Sequence, residues 1–163
     1  MNIFYLDKDP IKAAEYQYNK HVVKMILESA QMLCTVHRHF GNEDVPYKST
    51  HLNHPSTIWV RTNNRNYMWL YWHMIALGDE YTKRYNKKHL TIIKCEDILK
   101  KPPPLLKDAL YGDLIDMPQC MPDEYKDKCS IKAYWNYYIG EKHIVANPKK
   151  EYIYQKIPMA IAV

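Results

Sequence analysis

The clearest alternation of apolar and polar residues lies in residues 10–39 and predicts an amphipathic helix. Apolar side chains recur at helical spacing on one face, at Val22, Val23, Ile26, Leu27, Ala30, Leu33 and Cys34. The opposite face carries His21, Lys24, Glu28, Gln31 and Thr35. Asp9 followed by Pro10 is typical of a helix start, and Gly41 is typical of an end. The pattern leaves room for a break near Tyr18 and Asn19.

Three further helices are predicted downstream. Residues 57–85 are apolar on nearly every side, so one long, buried helix is expected to start at Pro55 and Ser56. Its first turns interrupt this pattern with Arg and Asn residues. A short helix follows over about 91–100 and stops at the prolines of 102–104. Ser130 is expected to cap a last helix that ends at Gly140.

These elements predict a mostly α protein, a compact single-domain helical bundle with a long irregular loop over about 101–129 and short extended termini. Residues 2–6 are expected to form a short strand or an arm packed on the core. The chain has 163 residues, which suits one domain. We expect one helical domain over 1–148 and a C-terminal tail, with weak strand character, over 149–163.

Composition narrows the class of protein. The net charge of +5 permits a polyanionic partner, and 15 Tyr and 4 Trp against 2 Phe suit a surface on which bases stack. Four cysteines without Cys-x-x-Cys spacing, and no signal peptide, predict reduced thiols in the cytoplasm. No apolar run is long enough to span a membrane. The oligomeric state does not follow from the sequence.

The first candidate site is the stripe of His21, Lys24 and Glu28, whose spacings of three and four place them on one helix face. A carboxylate beside a cation and an imidazole can act as a general base or as an electrostatic stabiliser. The alternative is a solvated helix face with an ordinary ion pair.

A group of four histidines is the second candidate: His37, His39, His51 and His54. Such a group could bind zinc, which would make the protein a metal-dependent nuclease. Without supporting cysteines we favour no metal site; His37 falls on the apolar side, as a core histidine does. His51 and His54 precede a helix start, where an anion is favoured, so phosphate contact suits them better. No Gly-rich phosphate loop is present, and no cofactor is expected.

Two further clusters could contact nucleic acid. Arg61, Asn64 and Arg65 interrupt a buried helix, so the arginines either pair with an internal acid (Glu28 or Asp123) or read a phosphate or base edge. Near the end of the last helix, Asn136, Tyr137 and Lys142 resemble a stacking surface with a cation beside it. Tyr134 and Trp135 share the apolar stripe of that helix and are expected to pack inside.

Motifs in a fixed order give the chain a resemblance to known proteins. The run from Asn19 to Glu28, the His54-Pro-Ser motif and a late Tyr-Tyr-Ile-Gly resemble a family of viral proteins. More distantly, the chain is similar to the pyrimidine-dimer DNA glycosylase family. Asn19-Lys20-His21 resembles that family's acidic-x-His motif, and Glu28 follows His21 at the same distance of seven residues as the family's Glu. The other similar segments are His54-Pro-Ser-Thr, 121–125 and 135–140.

The resemblance implies a helical fold that grips DNA, bends it and flips out a base. It implies Glu28 as the active-site carboxylate, His21 as its neighbour, and the chain's α-amino group as the nucleophile that forms a Schiff base. Asn2 is too large for ready removal of Met1, so the amine would be that of Met1. The segment before His21 is longer than in that family, so a glycosylase that uses water, with Glu28 as base, is a second version of the reaction.

The resemblance therefore predicts an excision enzyme that acts on damaged or modified bases in DNA, with AP-lyase activity if the amine takes part. A non-catalytic protein that sequesters a nucleotide or nucleic acid through His54, Arg61, Arg65 and Tyr137 is the main alternative. The metal-dependent nuclease is the second. DNA or a nucleotide is the expected partner in the first two cases.

Overall fold

The computed structural model describes residues 1–108 and 114–142. Helix α1 spans Pro10–Glu15 and α2 spans Asn19–His39. The predicted start is confirmed, because the Asp9 side chain accepts a hydrogen bond from the Ile11 amide at 2.8 Å. The predicted break before Asn19 is also present. Gly41 follows α2 with a φ of +86°, a left-handed conformation that favours glycine.

The long helix predicted from Pro55 to about residue 85 is wrong in one respect, because it is two helices. Helix α3 spans Pro55–Val60 and α4 spans Asn64–Tyr85. Asn63 lies between them in an extended conformation, and its side chain accepts a hydrogen bond from the Asn66 amide at 2.9 Å. An Asn that caps the backbone in this way starts a new helix instead of continuing the old one.

The third predicted helix is shorter than expected. Helix α5 spans Leu90–Cys95, and a separate 3-10 turn covers Ile98–Lys100. The described residues of the loop beyond it, 101–108 and 114–129, are irregular as predicted, apart from a 3-10 turn at Asp123–Tyr125.

Helix α6 spans Ser130–Gly140, and its predicted cap is wrong. Ser130 lies inside the helix, and its hydroxyl is 2.8 Å from both the Asp116 carboxylate and the Met117 carbonyl. The serine therefore ties the preceding loop to α6 instead of capping the helix.

Helices α2 and α4 pack against each other at the centre, with α1 against α4. The described residues contain no β-strand. Of the two predicted alternatives for residues 2–6, a strand or an arm packed on the core, the arm is the one present. Ile3 to Leu6 of this arm are buried. The side chains of Gln17 and Trp135 hold the arm by donating hydrogen bonds to the carbonyls of Ile3 and Leu6. The predicted tail over 149–163 lies outside the described residues.

The buried face of α2 is rotated relative to the prediction. Val23 and Leu27 were expected inside but are more than a third exposed, whereas His21 and Thr35 were expected outside but are buried. The arm is the cause at His21, because Phe4 stacks on the imidazole with 4.4 Å between ring centroids. None of the helices in the described residues is both long enough and apolar enough to cross a membrane.

Candidate active site

A cleft of about 560 Å³ opens where the amino-terminal arm crosses the first half of α2. Its walls also include the loop before α6 and the end of α6. The lining residues are Met1, Asn2, Phe4, Lys20, His21, Lys24, Met25, Glu28, Cys120, Tyr137 and Lys142.

Asn2 fixes the start of the chain at the wall of this cleft. Its side-chain oxygen accepts hydrogen bonds from the amides of Ile3 and Phe4, at 2.8 and 3.2 Å. Its side-chain nitrogen donates to the Cys120 carbonyl at 2.9 Å. Its backbone N–H donates to Oε2 of Glu28 at 3.3 Å. The longer segment before His21 therefore does not keep the amino terminus away from Glu28.

Glu28 is the carboxylate of the cleft, and its side chain is 15% exposed. Lys24 lies one turn earlier on α2, with Nζ 3.2 Å from Oε1 of Glu28. The two carboxylate oxygens thus have different partners, a lysine ammonium and a backbone amide of the arm. A carboxylate held in this way stays oriented toward a group at the chain start.

His21 completes the stripe on α2 but is held inside. Its Nδ1 lies 2.7 Å from the Tyr138 hydroxyl, which also accepts a hydrogen bond from the Tyr18 amide. Burial first, and then the charges of Lys142 and Lys24, lower the pKa of His21 to about 4. The imidazole is therefore neutral at pH 7 and positions neighbouring groups without adding charge to the cleft.

The electrostatics of the cleft favour an anion. Lys20, Lys24 and Lys142 line it together with the amino terminus, against the carboxylate of Glu28. Nζ of Lys142 lies 4.4 Å from the centroid of the Tyr137 ring, a cation–π contact. Such walls combine cations for phosphates with an aromatic face for a base.

His54 caps α3 close to this site. Its Nδ1 accepts a hydrogen bond from the Ser56 amide at 3.2 Å, so the neutral ring carries its proton on Nε2. Burial first, then the positive amino terminus and His51, lower the pKa of His54, while the charge of Glu28 opposes them. The charges of the amino terminus and of Glu28 therefore both act on the His54 imidazole.

The other predicted contact residues do not line the cleft. Arg61 donates to the Leu52 carbonyl, and Arg65 and His51 are exposed. Neither arginine forms an ion pair within the described residues, so of the two alternatives the internal pairing with Glu28 or Asp123 is absent there. Asn64 bonds to Asp108 at 2.7 Å, and the exposed Asn136 bonds to the Tyr125 carbonyl at 3.4 Å.

The four histidines of the metal hypothesis do not converge. His37 is buried between the Tyr67 hydroxyl at 2.8 Å and the Asn42 side chain at 3.1 Å, as a core histidine. His39 and His51 are exposed. Within residues 1–108 and 114–142, no group of three His, Cys, Asp or Glu could hold a metal ion.

Several lining residues were not predicted from the sequence: Asn2, Phe4, Lys20, Met25 and Cys120. The sequence could have indicated Lys20, because it precedes Lys24 by one helical turn and therefore lies on the same face of α2. The others are brought in by the arm and by the loop before α6, and no local spacing relates them to α2.

Comparison with known proteins agrees with this arrangement. The family model described as pyrimidine dimer DNA glycosylase matches residues 1–93, which include the arm and helices α1 to α4. The match covers more than half of the chain, so the protein belongs to the pyrimidine dimer DNA glycosylase family. Membership implies DNA as its partner. Searches of curated proteins and of solved structures give no match.

The matched range contains Met1, His21, Glu28 and His54, and the predicted resemblance to this family is confirmed. The predicted helical fold is confirmed by the helices themselves. The late segments 121–125 and 135–140 lie beyond it. For Tyr137 and Lys142, a role in binding stays a prediction, supported by their place in the cleft.

Proposed function

We propose that the protein excises damaged or modified bases from DNA, with its α-amino group as nucleophile and Glu28 as the active-site carboxylate. The observation that carries this proposal is the hydrogen bond from the Asn2 backbone to Glu28, at 3.3 Å, which holds the chain start beside that carboxylate. Amine and carboxylate are the two groups that imine chemistry at C1′ needs.

In the proposed reaction, the lone pair of the amine forms a bond to C1′ of the damaged nucleotide. The C1′–base bond breaks, and its electron pair leaves with the base, which takes up a proton from solvent. Glu28 then accepts one proton from the nitrogen and passes it to O4′ as the C1′–O4′ bond opens, leaving a protonated imine. Loss of a proton from C2′ expels the 3′ phosphate, which is the lyase step.

The walls of the cleft suit a single extruded nucleotide. A volume of about 560 Å³ is within the range of small-molecule sites. Lys20, Lys24 and Lys142 would bind the flanking phosphates, and the parts of Phe4 and Tyr137 that line the cleft would contact the base. His21 would hold Phe4 in place, as a positioning residue.

The first test is cleavage of UV-irradiated and abasic duplex DNA in the presence of borohydride, comparing wild type with Glu28→Gln. Wild type should cleave and give a trapped adduct, and Glu28→Gln should lose activity by about 100-fold or more. Asp97→Asn, an exposed carboxylate outside the cleft, is the control and should behave as wild type.

Mapping the trapped adduct by mass spectrometry identifies the amine. We expect it on Met1, because a residue as large as Asn2 disfavours removal of the initiator. An adduct on Asn2 would still support the amine mechanism, with Met1 removed. An adduct on a lysine would contradict it. Extending the chain by two residues before Met1 should abolish trapping and leave DNA binding in place.

Other outcomes point to the remaining functions. Release of base without an adduct would indicate a glycosylase that uses water, with Glu28 as its base. No reaction, with tight nucleotide or DNA binding that survives Glu28→Gln, would indicate a protein that sequesters its ligand.

A further inference from the structure

The outer face of α2 carries an exposed pair of aliphatic residues next to the cleft. Val23 is 38% exposed and Leu27 is 37% exposed. They are four residues apart on one helix, so their side chains are neighbours. Single exposed aliphatic residues are ordinary on protein surfaces. This pair is different because it shares its face with the cleft lysines Lys20 and Lys24.

The order of side chains around α2 relates this pair to the active site. At 100° per residue, the surface runs from Val23 to Leu27, then to Lys20 and Lys24, and then to Glu28. The lysines thus separate the apolar pair from the carboxylate. A phosphate held by the lysines would have the cleft on one side and the aliphatic pair on the other.

Base excision at this cleft requires the base stack of the duplex to open, because Glu28 lies inside a cleft and enzymes that do chemistry on a base open the stack to reach it. Proteins that open a base step commonly insert apolar side chains between the bases, while cations hold the neighbouring phosphates. The outer face of α2 offers both groups side by side.

We propose that Val23 and Leu27 form an apolar wedge that enters the base stack next to the extruded nucleotide, while Lys20 and Lys24 hold the flanking backbone. This inference rests on the proposed excision activity and assigns residues that position its substrate. The wedge stabilises the opened stack and takes no part in bond breaking, so its contribution depends on how well paired the DNA is.

The test compares two substrates under single-turnover conditions. One is an abasic site in a fully paired duplex, and the other is the same site within a bubble of unpaired bases. The variants are Leu27→Ala and the double variant Val23→Ala/Leu27→Ala. Ile93→Ala, which removes a 57% exposed aliphatic side chain on α5, is the matched control. Loss of the wedge should slow the paired substrate about tenfold and the bubble less than about twofold.

A second readout does not depend on cleavage. With 2-aminopurine beside the abasic site, binding of wild type or Ile93→Ala should raise its fluorescence as the base unstacks, and binding of the double variant should not. Equal slowing on both substrates, or no slowing on either, would overturn the wedge. If wild type cleaves neither substrate, the excision activity fails, and the fluorescence alone then supports or overturns the wedge.

Discussion

Three lysines and one carboxylate line the cleft, and single charges there should have measurable effects on DNA binding. Lys20 is the simplest to examine, because it is exposed, lines the cleft and forms no ion pair with a described residue. Lys24 is less simple, because its ammonium is engaged by Glu28. A lysine that binds a phosphate releases counterions when DNA binds, and this release makes affinity depend on salt.

Lys20→Ala should therefore weaken binding to duplex DNA and reduce the slope of log affinity against log salt by about 0.9. The measurement is fluorescence anisotropy over a salt series. Lys94→Ala, on the exposed surface of α5, is the control and should leave the slope unchanged. An unchanged slope for Lys20→Ala would mean that this wall of the cleft does not contact the DNA backbone.

At the scale of elements, two asparagine side chains build the junction between α3 and α4. Asn63 accepts from the Asn66 amide, and the Asn66 side chain donates to the Trp59 carbonyl at 2.8 Å. Both belong to the Arg and Asn residues that interrupt the predicted helix, and here the Asn63 side-chain oxygen and the Asn66 side-chain nitrogen are used by the backbone. The extended backbone at Asn63 divides the chain into two helices, where the sequence pattern predicts one.

Asn63→Ala should lower the free energy of unfolding by about 1 kcal/mol, because the first turn of α4 loses its cap. Asn63→Asp retains an acceptor oxygen at the same place and should keep most of the stability. Urea denaturation of the two variants beside wild type measures both. Equal losses in the two variants would show that the hydrogen bond to the Asn66 amide is not what matters.

Close packing of α4 on α5 depends on Gly78. A Cβ at this position would lie 2.7 Å from Cγ1 of Ile92, whose side chain is buried. Gly78→Ala should therefore destabilise the protein by about 1–3 kcal/mol through overpacking, despite the better helix propensity of alanine.

The contact with Ile92 can be isolated with a double-mutant cycle. In an Ile92→Ala background the added methyl group has room, so Gly78→Ala should be neutral or stabilise α4 by up to about 1 kcal/mol. The same loss in both backgrounds would show that Ile92 is not the source of the strain. Thermal or urea unfolding of the four proteins gives the coupling energy.

For the whole molecule, a buried histidine joins the arm, α1 and α4. Nδ1 of His73 donates to the Pro10 carbonyl at 2.9 Å, and its Nε2 accepts from the Gln17 side chain at 3.0 Å. Gln17 donates in turn to the Ile3 carbonyl. Burial, opposed by hydrogen bonds to Pro10 and Ile3, lowers the pKa of His73 from 6.5 to about 4. The network that carries the arm to the cleft therefore requires a neutral imidazole.

Stability should fall as the pH drops below 6.5. In that range the unfolded chain binds a proton at His73 and the folded chain does not, until the pH reaches about 4. His73 alone should lower the free energy of unfolding by roughly 2 kcal/mol between about pH 7.5 and about pH 5. His21, with its pKa also lowered to about 4, acts in the same direction.

Urea denaturation at the two pH values measures the effect, and His73→Leu should reduce the difference between them. The variant is expected to be less stable at neutral pH, because Gln17 and the Pro10 carbonyl lose their partner. Its slope against pH is therefore the informative quantity. A wild-type protein equally stable at both values would contradict the prediction.

Much of the secondary structure could be read from the sequence because the signals are local. The cap at Asp9, the end at Gly41, the stop before the prolines and the last helix to Gly140 each depend on neighbouring residues. Where a local signal had two meanings, the prediction was wrong. Ser130 looks like a cap but contacts Asp116, and the polar residues after Arg61 look like an interruption within one helix, but Asn63 caps a second helix.

The sequence by itself determined the helical class, the family resemblance and the placement of His21, Lys24 and Glu28 on one stripe of α2, because helical spacing fixes which side chains share a face. Only the tertiary structure decided which groups contact that stripe. The arm buries His21 under Phe4 and brings the amino terminus to Glu28, and the loop before α6 supplies the Cys120 carbonyl that anchors Asn2. These contacts join residues 17, 26 and 118 positions apart, and helical periodicity carries no information about contacts between separate elements.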